Sequence, residues 1–142
     1  MIRNDIRQRI FPAVRYQDAP AAITWLGRAF GFEEHMVVPG ENGTIVHAQL
    51  RLAGNFIMLG SSREDDLRMR SPRDLGGATT AAVYIQFDRP EEIDALYARA
   101  KGAGAEIVRE LEDTDYGSHD FSARDPEGNL WSFGTYRPES EG

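Results

Sequence analysis

Chemistry in this chain would have to come from a short set of side chains. Three histidines, His35, His47 and His119, supply its imidazoles, and cysteine is absent. Imidazole is the side chain best suited to hold a metal or move a proton near neutral pH. His47 and His119 occupy related places in two similar halves of the chain, but a pair without a carboxylate partner at matching depth reads as structural. Glu33, Glu34, Asp113, Asp115 and Asp120 fall at strand ends or in loops and read as solvated surface. Ser122 and Ser132 have no activating neighbours, and no Gly-x-Ser-x-Gly elbow is present. Gly40 and Gly43 flank a hairpin turn, so they do not form a phosphate cradle. What remains is equipment for binding. Tyr84 and Gln86, two apart on an extended segment, share one face and can orient a polar ligand. Arg15 on another such segment needs either a ligand or a salt bridge from an acidic residue of the later connector.

The elements that must position these residues come in duplicate. Asp18-x-Pro20-x-x-Ile23-x-x-Leu26 recurs as Asp88-x-Pro90-x-x-Ile93-x-x-Leu96, and Gly54-Asn55-Phe56-Ile57-Met58-Leu59-Gly60 recurs as Gly128-Asn129-Leu130-Trp131-Ser132-Phe133-Gly134. Two long copies indicate a duplicated supersecondary unit rather than a solenoid, which needs three or more short repeats. In the first copy the pattern predicts a strand over 10–16, a helix capped by Asp18 and stopped by Gly31, and strands over 33–38, 44–52 and 55–59. In the second it predicts a strand over 80–87, a helix opened by Asp88 and Pro90 and ended by Gly102 and Gly104, and strands over 106–109, 118–124 and 129–136. Each half reads strand, helix, strand, strand, strand. The 142 residues therefore form one domain, with module one over about 10–60, a polar connector over 61–78 and module two over about 79–136. Such a connector is an exposed linker or a lid.

Composition narrows the partners. Sixteen basic against 23 acidic residues give a net charge of −7, the wrong sign for a phosphate-backbone binder. A cationic or neutral small molecule is the better electrostatic match. No segment is apolar enough to span a membrane, and the N-terminus lacks a signal-peptide run, so a cytoplasmic location is expected.

The Ala29-Phe30-Gly31-Phe32 helix end, and Tyr116-Gly117 leading into Phe121-Ser122-Ala123-Arg124-Asp125-Pro126-Glu127-Gly128-Asn129, resemble the vicinal oxygen chelate superfamily. That group holds glyoxalase I, extradiol dioxygenases, fosfomycin-resistance enzymes and bleomycin-resistance proteins. The resemblance implies an α+β fold of two βαβββ modules. Their curved mixed sheet would line a cleft, with helices packed on its outer face. It also implies, for metal-dependent members, ligands at positions that here hold Phe11, Met58, Ala82 and Ser132. None offers a carboxylate or imidazole, and neither do their neighbours, so no metal and no cofactor is expected.

Strand alternation sorts Val14, Tyr16, Val83, Ile85, Phe87, Trp131 and Phe133 to a helix-packed core. It leaves Phe11, Ala13, Arg15, Met58, Ala82, Tyr84, Gln86, Ser132 and Tyr136 on the opposite face, with Asp120, Ser122 and Arg124 at the cavity or its rim. Phe11, Arg15, Met58, Tyr84, Gln86, Ser122 and Ser132 are accordingly the expected ligand-binding residues. The expected function is binding of an antibiotic or other aromatic or cationic compound, by a homodimer. The alternative is a glyoxalase- or dioxygenase-like lyase, isomerase or oxygenase with an atypical metal site.

Overall fold

The computed structural model describes residues 8–138. The first module contains β1 (Ala13–Tyr16), α1 (Ala19–Phe30), β2 (Glu33–Pro39), β3 (Ile45–Leu52) and β4 (Asn55–Ser61). The second contains β5 (Ala82–Gln86), α2 (Pro90–Gly102), β6 (Glu106–Asp113), β7 (His119–Arg124) and β8 (Leu130–Gly134). Each module forms a mixed four-stranded sheet, in the orders β1-β4-β3-β2 and β5-β8-β7-β6. The first and last strands of each module pair in parallel, and the remaining pairs are antiparallel.

Local chemistry accounts for α1. The Asp18 carboxylate accepts the Ala21 N–H at 3.1 Å, and Gly31, at φ 88°, stops the helix in a conformation that costs glycine nothing. Its buried stripe of Ile23, Leu26 and Phe30 follows helical spacing. α2 starts differently from its counterpart. Arg89, not Asp88, is its cap, and the Glu92 carboxylate accepts the Arg89 N–H at 3.1 Å. Asp88 is drawn away by Arg137, 3.2 Å off, so the repeated Asp-x-Pro spacing yields two different helix starts.

One hydrophobic core joins the modules. The Phe30 ring of α1 lies 4.8 Å from Phe133 and 5.9 Å from Trp131, both on β8. The Trp25 indole donates to the Ala103 carbonyl, and Arg99 of α2 donates to the carbonyls of Gly27 and Arg28 at the end of α1. Each sheet turns its inner face to this shared core and its other face outward.

The β7–β8 turn, between the expected strands 118–124 and 129–136, clasps the modules together. Asp125 is buried and accepts four donors: the Tyr16 hydroxyl at 2.7 Å, the Trp131 indole at 3.0 Å, and the backbone N–H groups of Glu127 and Asn129. Burial first, and then the Asp125 charge, push the Tyr16 hydroxyl well above its ordinary pKa, which keeps it a donor. Glu127, also buried, accepts the N–H groups of Gln17 and Asp18 and the Ser71 hydroxyl. Through Ser71 the connector is pinned to this turn, and its 3₁₀ turn (Pro72–Leu75) follows directly.

Candidate functional site

The site is built on the outward face of the second sheet. Parallel pairing of β5 with β8 sets Tyr84 opposite Ser132, and antiparallel pairing of β7 with β8 sets Ser122 opposite Ser132 and Asp120 opposite Gly134. These residues share one face because cross-strand partners project to the same side. Val83, Ile85, Trp131 and Phe133 take the other face and pack into the core, as the alternation requires.

A pocket of about 420 Å³ lies over this face, lined by Tyr84, Tyr116, Asp120, Ser122 and Ser132 among others. Asp120 is one of five charged residues that line it, with Glu110, Glu112, Arg109 and Arg124. The Tyr84 hydroxyl donates to one carboxylate oxygen at 2.9 Å, and the Tyr116 hydroxyl approaches the other at 3.5 Å. Tyr84 also accepts the Tyr136 N–H at 3.1 Å, and the Tyr116 and Tyr136 rings meet edge to face at 5.6 Å. Burial and the adjacent Asp120 charge raise the Tyr84 hydroxyl pKa, although the Tyr136 N–H opposes them. The contact depends on Gly134. A Cβ there would stand 1.8 Å from the Asp120 carboxylate and 2.2 Å from the Tyr84 hydroxyl. Deeper in the pocket the Ser122 and Ser132 hydroxyls share a hydrogen bond of 2.7 Å. Among the described residues neither serine is hydrogen-bonded to a histidine.

The seven expected residues do not converge on one cavity within a single chain. Tyr84, Ser122 and Ser132 line the pocket just described. Arg15 and Tyr84 border a separate groove between β1 and β5. Phe11 and Met58 stand on the first sheet's side. Phe11 precedes β1, which begins three residues later than the alternation suggested, and Met58 pairs with Ala13. Gln86 turns to its own backbone, donating to the Phe87 carbonyl at 2.7 Å. For Arg15 the connector supplies the counter-ion: Asp65 lies 3.5 Å away, and the guanidinium is 6% exposed.

Two surface assignments change. Asp120, read both as a solvated acid near a strand end and as a residue of the cavity or its rim, takes the second place, half-buried and bonded by Tyr84. His119 has carboxylate partners after all, with Nε2 2.7 Å from Asp94 and Nδ1 2.7 Å from Asp113. Asp94 above all, and Asp113 with it, raise the His119 pKa against the opposing effect of burial. With both ring nitrogens engaged, this imidazole ties α2 to the β6–β7 region. His47 contacts Gln49 at 3.1 Å, and the His35 ring packs on Phe56. Tyr116 belongs to a loop and gave no periodic signal, so sequence reasoning did not place it in the site.

The β1–β4 register sets Ala13 beside Met58, and the β5–β8 register sets Tyr84 beside Ser132. Those four positions, like Phe11 and Ala82 one pleat away, carry no imidazole or carboxylate. Among the described residues no cluster of three His, Cys, Asp or Glu side chains is placed to hold an ion. No helix among them is long and apolar enough to cross a membrane.

A family model described as Glyoxalase/Bleomycin resistance protein/Dioxygenase superfamily matches residues 10–133. An uncharacterized protein of Mycobacterium bovis is 32% identical over 136 residues, covering 92% of this chain and 84% of its own length. Among solved structures, TioX from Micromonospora sp. ML1 superposes with a TM-score of 0.70 at 30% identity, over 94% of this chain and 100% of its own. The fosfomycin resistance protein FosX from Listeria monocytogenes, at 17% identity, shares the fold with a TM-score of 0.69 over 94% of this chain and 97% of its own.

Proposed function

This chain belongs to the Glyoxalase/Bleomycin resistance protein/Dioxygenase superfamily, and from that premise we propose that it binds a small aromatic or cationic compound without transforming it. The observation that carries this reading is Asp120 among Tyr84, Tyr116 and Tyr136 on an open, partly apolar sheet face. A cation at Asp120 would meet both a carboxylate and aromatic faces, and cation–aromatic contact contributes about 0.5–2 kcal/mol depending on desolvation. Ser122 and Ser132 would orient polar groups of the same ligand. The absence of imidazole and carboxylate side chains from the equivalent metal positions favours binding over metal-dependent lyase, isomerase or oxygenase chemistry. An antibiotic is one candidate ligand, since the family model that matches the chain takes in bleomycin resistance proteins.

We propose further that the working form is a homodimer. Phe11, Met36 and Val38 in the first module, and Tyr84, Tyr116 and Tyr136 in the second, are exposed large side chains in a single chain. A second copy would cover them and close the open faces into a deeper cleft.

The experiment is a thermal-shift screen of antibiotics and cationic aromatic compounds against the wild type and Asp120→Asn, with molecular mass followed by light scattering. A ligand at 100 times its Kd adds about 2.7 kcal/mol of stability. The reading expects hits that weaken in Asp120→Asn. It fails if no compound stabilises the protein, or if hits are indifferent to that substitution. A monomeric mass at micromolar concentration would refute the dimer.

A further inference from the structure

β1 and β5 are edge strands of separate sheets, and a groove of about 740 Å³ lies between them, bordered by the connector. That volume is ordinary for a small-molecule site. Its charge differs from that of the Asp120 pocket, whose lining mixes Asp120, Glu110 and Glu112 with Arg109 and Arg124. Arg15, Arg68 and Arg70 line it, and no Asp or Glu is among its described lining residues, in a chain whose net charge is −7. Most of the remaining lining is apolar, with Ile10, Leu75 and Leu130 among it.

Two buried groups there are poorly satisfied. The Arg15 guanidinium carries five donors in a fork, yet its contacts are long: 3.5 Å to the Ser61 carbonyl and 3.5 Å to Asp65. Asp65 is committed elsewhere, to Arg63 at 3.1 Å and to the backbone N–H groups of Leu67 and Arg68. It would therefore stay paired if Arg15 turned to another anion. Asn129, 9% exposed, lines the same groove, and its Nδ2 has no hydrogen-bond partner among the described residues. The amide sits near enough to the Tyr16 hydroxyl to oppose the rise in its pKa, but outside hydrogen-bond geometry. Arg68 makes no ion pair among the described residues, and Arg70 is held by the exposed Glu64.

We infer that this groove is a binding site for an anionic small molecule, a carboxylate on an apolar body, with the carboxylate at Arg15 and the body against the β1 and β5 edges. Carboxylate and guanidinium form paired, charge-assisted hydrogen bonds that neither present contact of Arg15 provides. Arg68 and Arg70 would add attraction at the mouth, and the Asn129 amide a donor at the wall. The site adjoins the Asp120 pocket, sharing Tyr84 and Leu130 with it, but selects the opposite charge.

The test uses the full chain and three matched probes, 2-naphthoate, 2-naphthamide and 2-naphthylmethylammonium, titrated calorimetrically at physiological salt. Naphthoate should bind at least about tenfold more tightly than the amide, a difference of about 1.4 kcal/mol. Arg68→Gln with Arg70→Gln should weaken naphthoate several-fold and leave the amide unchanged, and Arg15→Met should remove the preference. Ser132→Ala should not alter naphthoate binding. If Arg15→Met fails to fold, the Arg68 and Arg70 pair decides the matter. Failure of naphthoate to bind at millimolar concentration, equal affinity for the amide, or indifference to the Arg68 and Arg70 pair overturns the inference. So does a loss with Ser132→Ala matching that of the arginine variants. The cationic probe, compared between wild type and Asp120→Asn, reports on the open-face pocket separately.

Discussion

Replacing Asp125 by Asn tests whether a buried carboxylate, rather than apolar contact alone, holds the two modules together. Four donors converge on its two oxygens: the Tyr16 hydroxyl and the Trp131 indole on one, and the N–H groups of Glu127 and Asn129 on the other. An amide offers a single acceptor oxygen, so in either orientation its NH₂ group faces two donors. Tyr16 can rotate its hydroxyl to accept, but the indole and the backbone N–H groups cannot. At least one buried donor is therefore left unpaired, at about 1–3 kcal/mol, and the surviving bonds lose their charge assistance. The expected loss is roughly 2–4 kcal/mol, a large share of the roughly 5–15 kcal/mol typical of a domain. Tyr16→Phe is the control. It removes one donor, leaves three on the carboxylate, and should cost about 1 kcal/mol. Urea unfolding followed by fluorescence suits the protein, because Trp25 and Trp131 are both buried. With a slope of about 2 kcal/mol per molar, Asp125→Asn should lower the midpoint by roughly 1–2 M. A loss below about 1 kcal/mol, or equal losses in the two variants, would refute the role assigned to Asp125.

Gly134→Ala should disrupt the Tyr84–Asp120 contact, since the new Cβ would overlap both partners. Cationic ligands should then bind about tenfold more weakly by calorimetry, a change of about 1.4 kcal/mol, and unchanged affinity would show that the contact does not matter for binding. His119 predicts a pH dependence of stability. Its folded pKa is raised above the ordinary 6.5, chiefly by Asp94, so its contribution is complete below that value and is lost as pH rises through the folded pKa. Urea midpoints of His119→Gln measured from pH 5.5 to 8.5 should therefore fall less with rising pH than those of the wild type, and parallel curves would contradict this.

Much of the framework was legible from spacing alone. Two copies of one pattern marked two modules, and Asp18 and Gly31 marked both ends of α1, because capping involves only residues within a turn of each other. The split of Tyr84 and Ser132 from Val83 and Trp131 followed from the two-residue period of a strand, which the backbone imposes whatever the sheet packs against. Arg15 was different. Its parity put it on the outward face, but its fate was decided by Asp65 of the connector, fifty residues further along the chain. Asp88 kept the spacing of Asp18 and lost its capping role to Arg137. Asp125 fell between two expected strands, and only the approach of β1 and β8 made it the acceptor for Tyr16 and Trp131. The division of the seven candidate residues between a pocket and a groove depends on Phe30 of α1 packing against Trp131 and Phe133 of the other module. Local periodicity sets which way a side chain points. What it meets there is set by contacts between segments far apart in sequence, whose free energy belongs to the packed core and to no single stretch of chain.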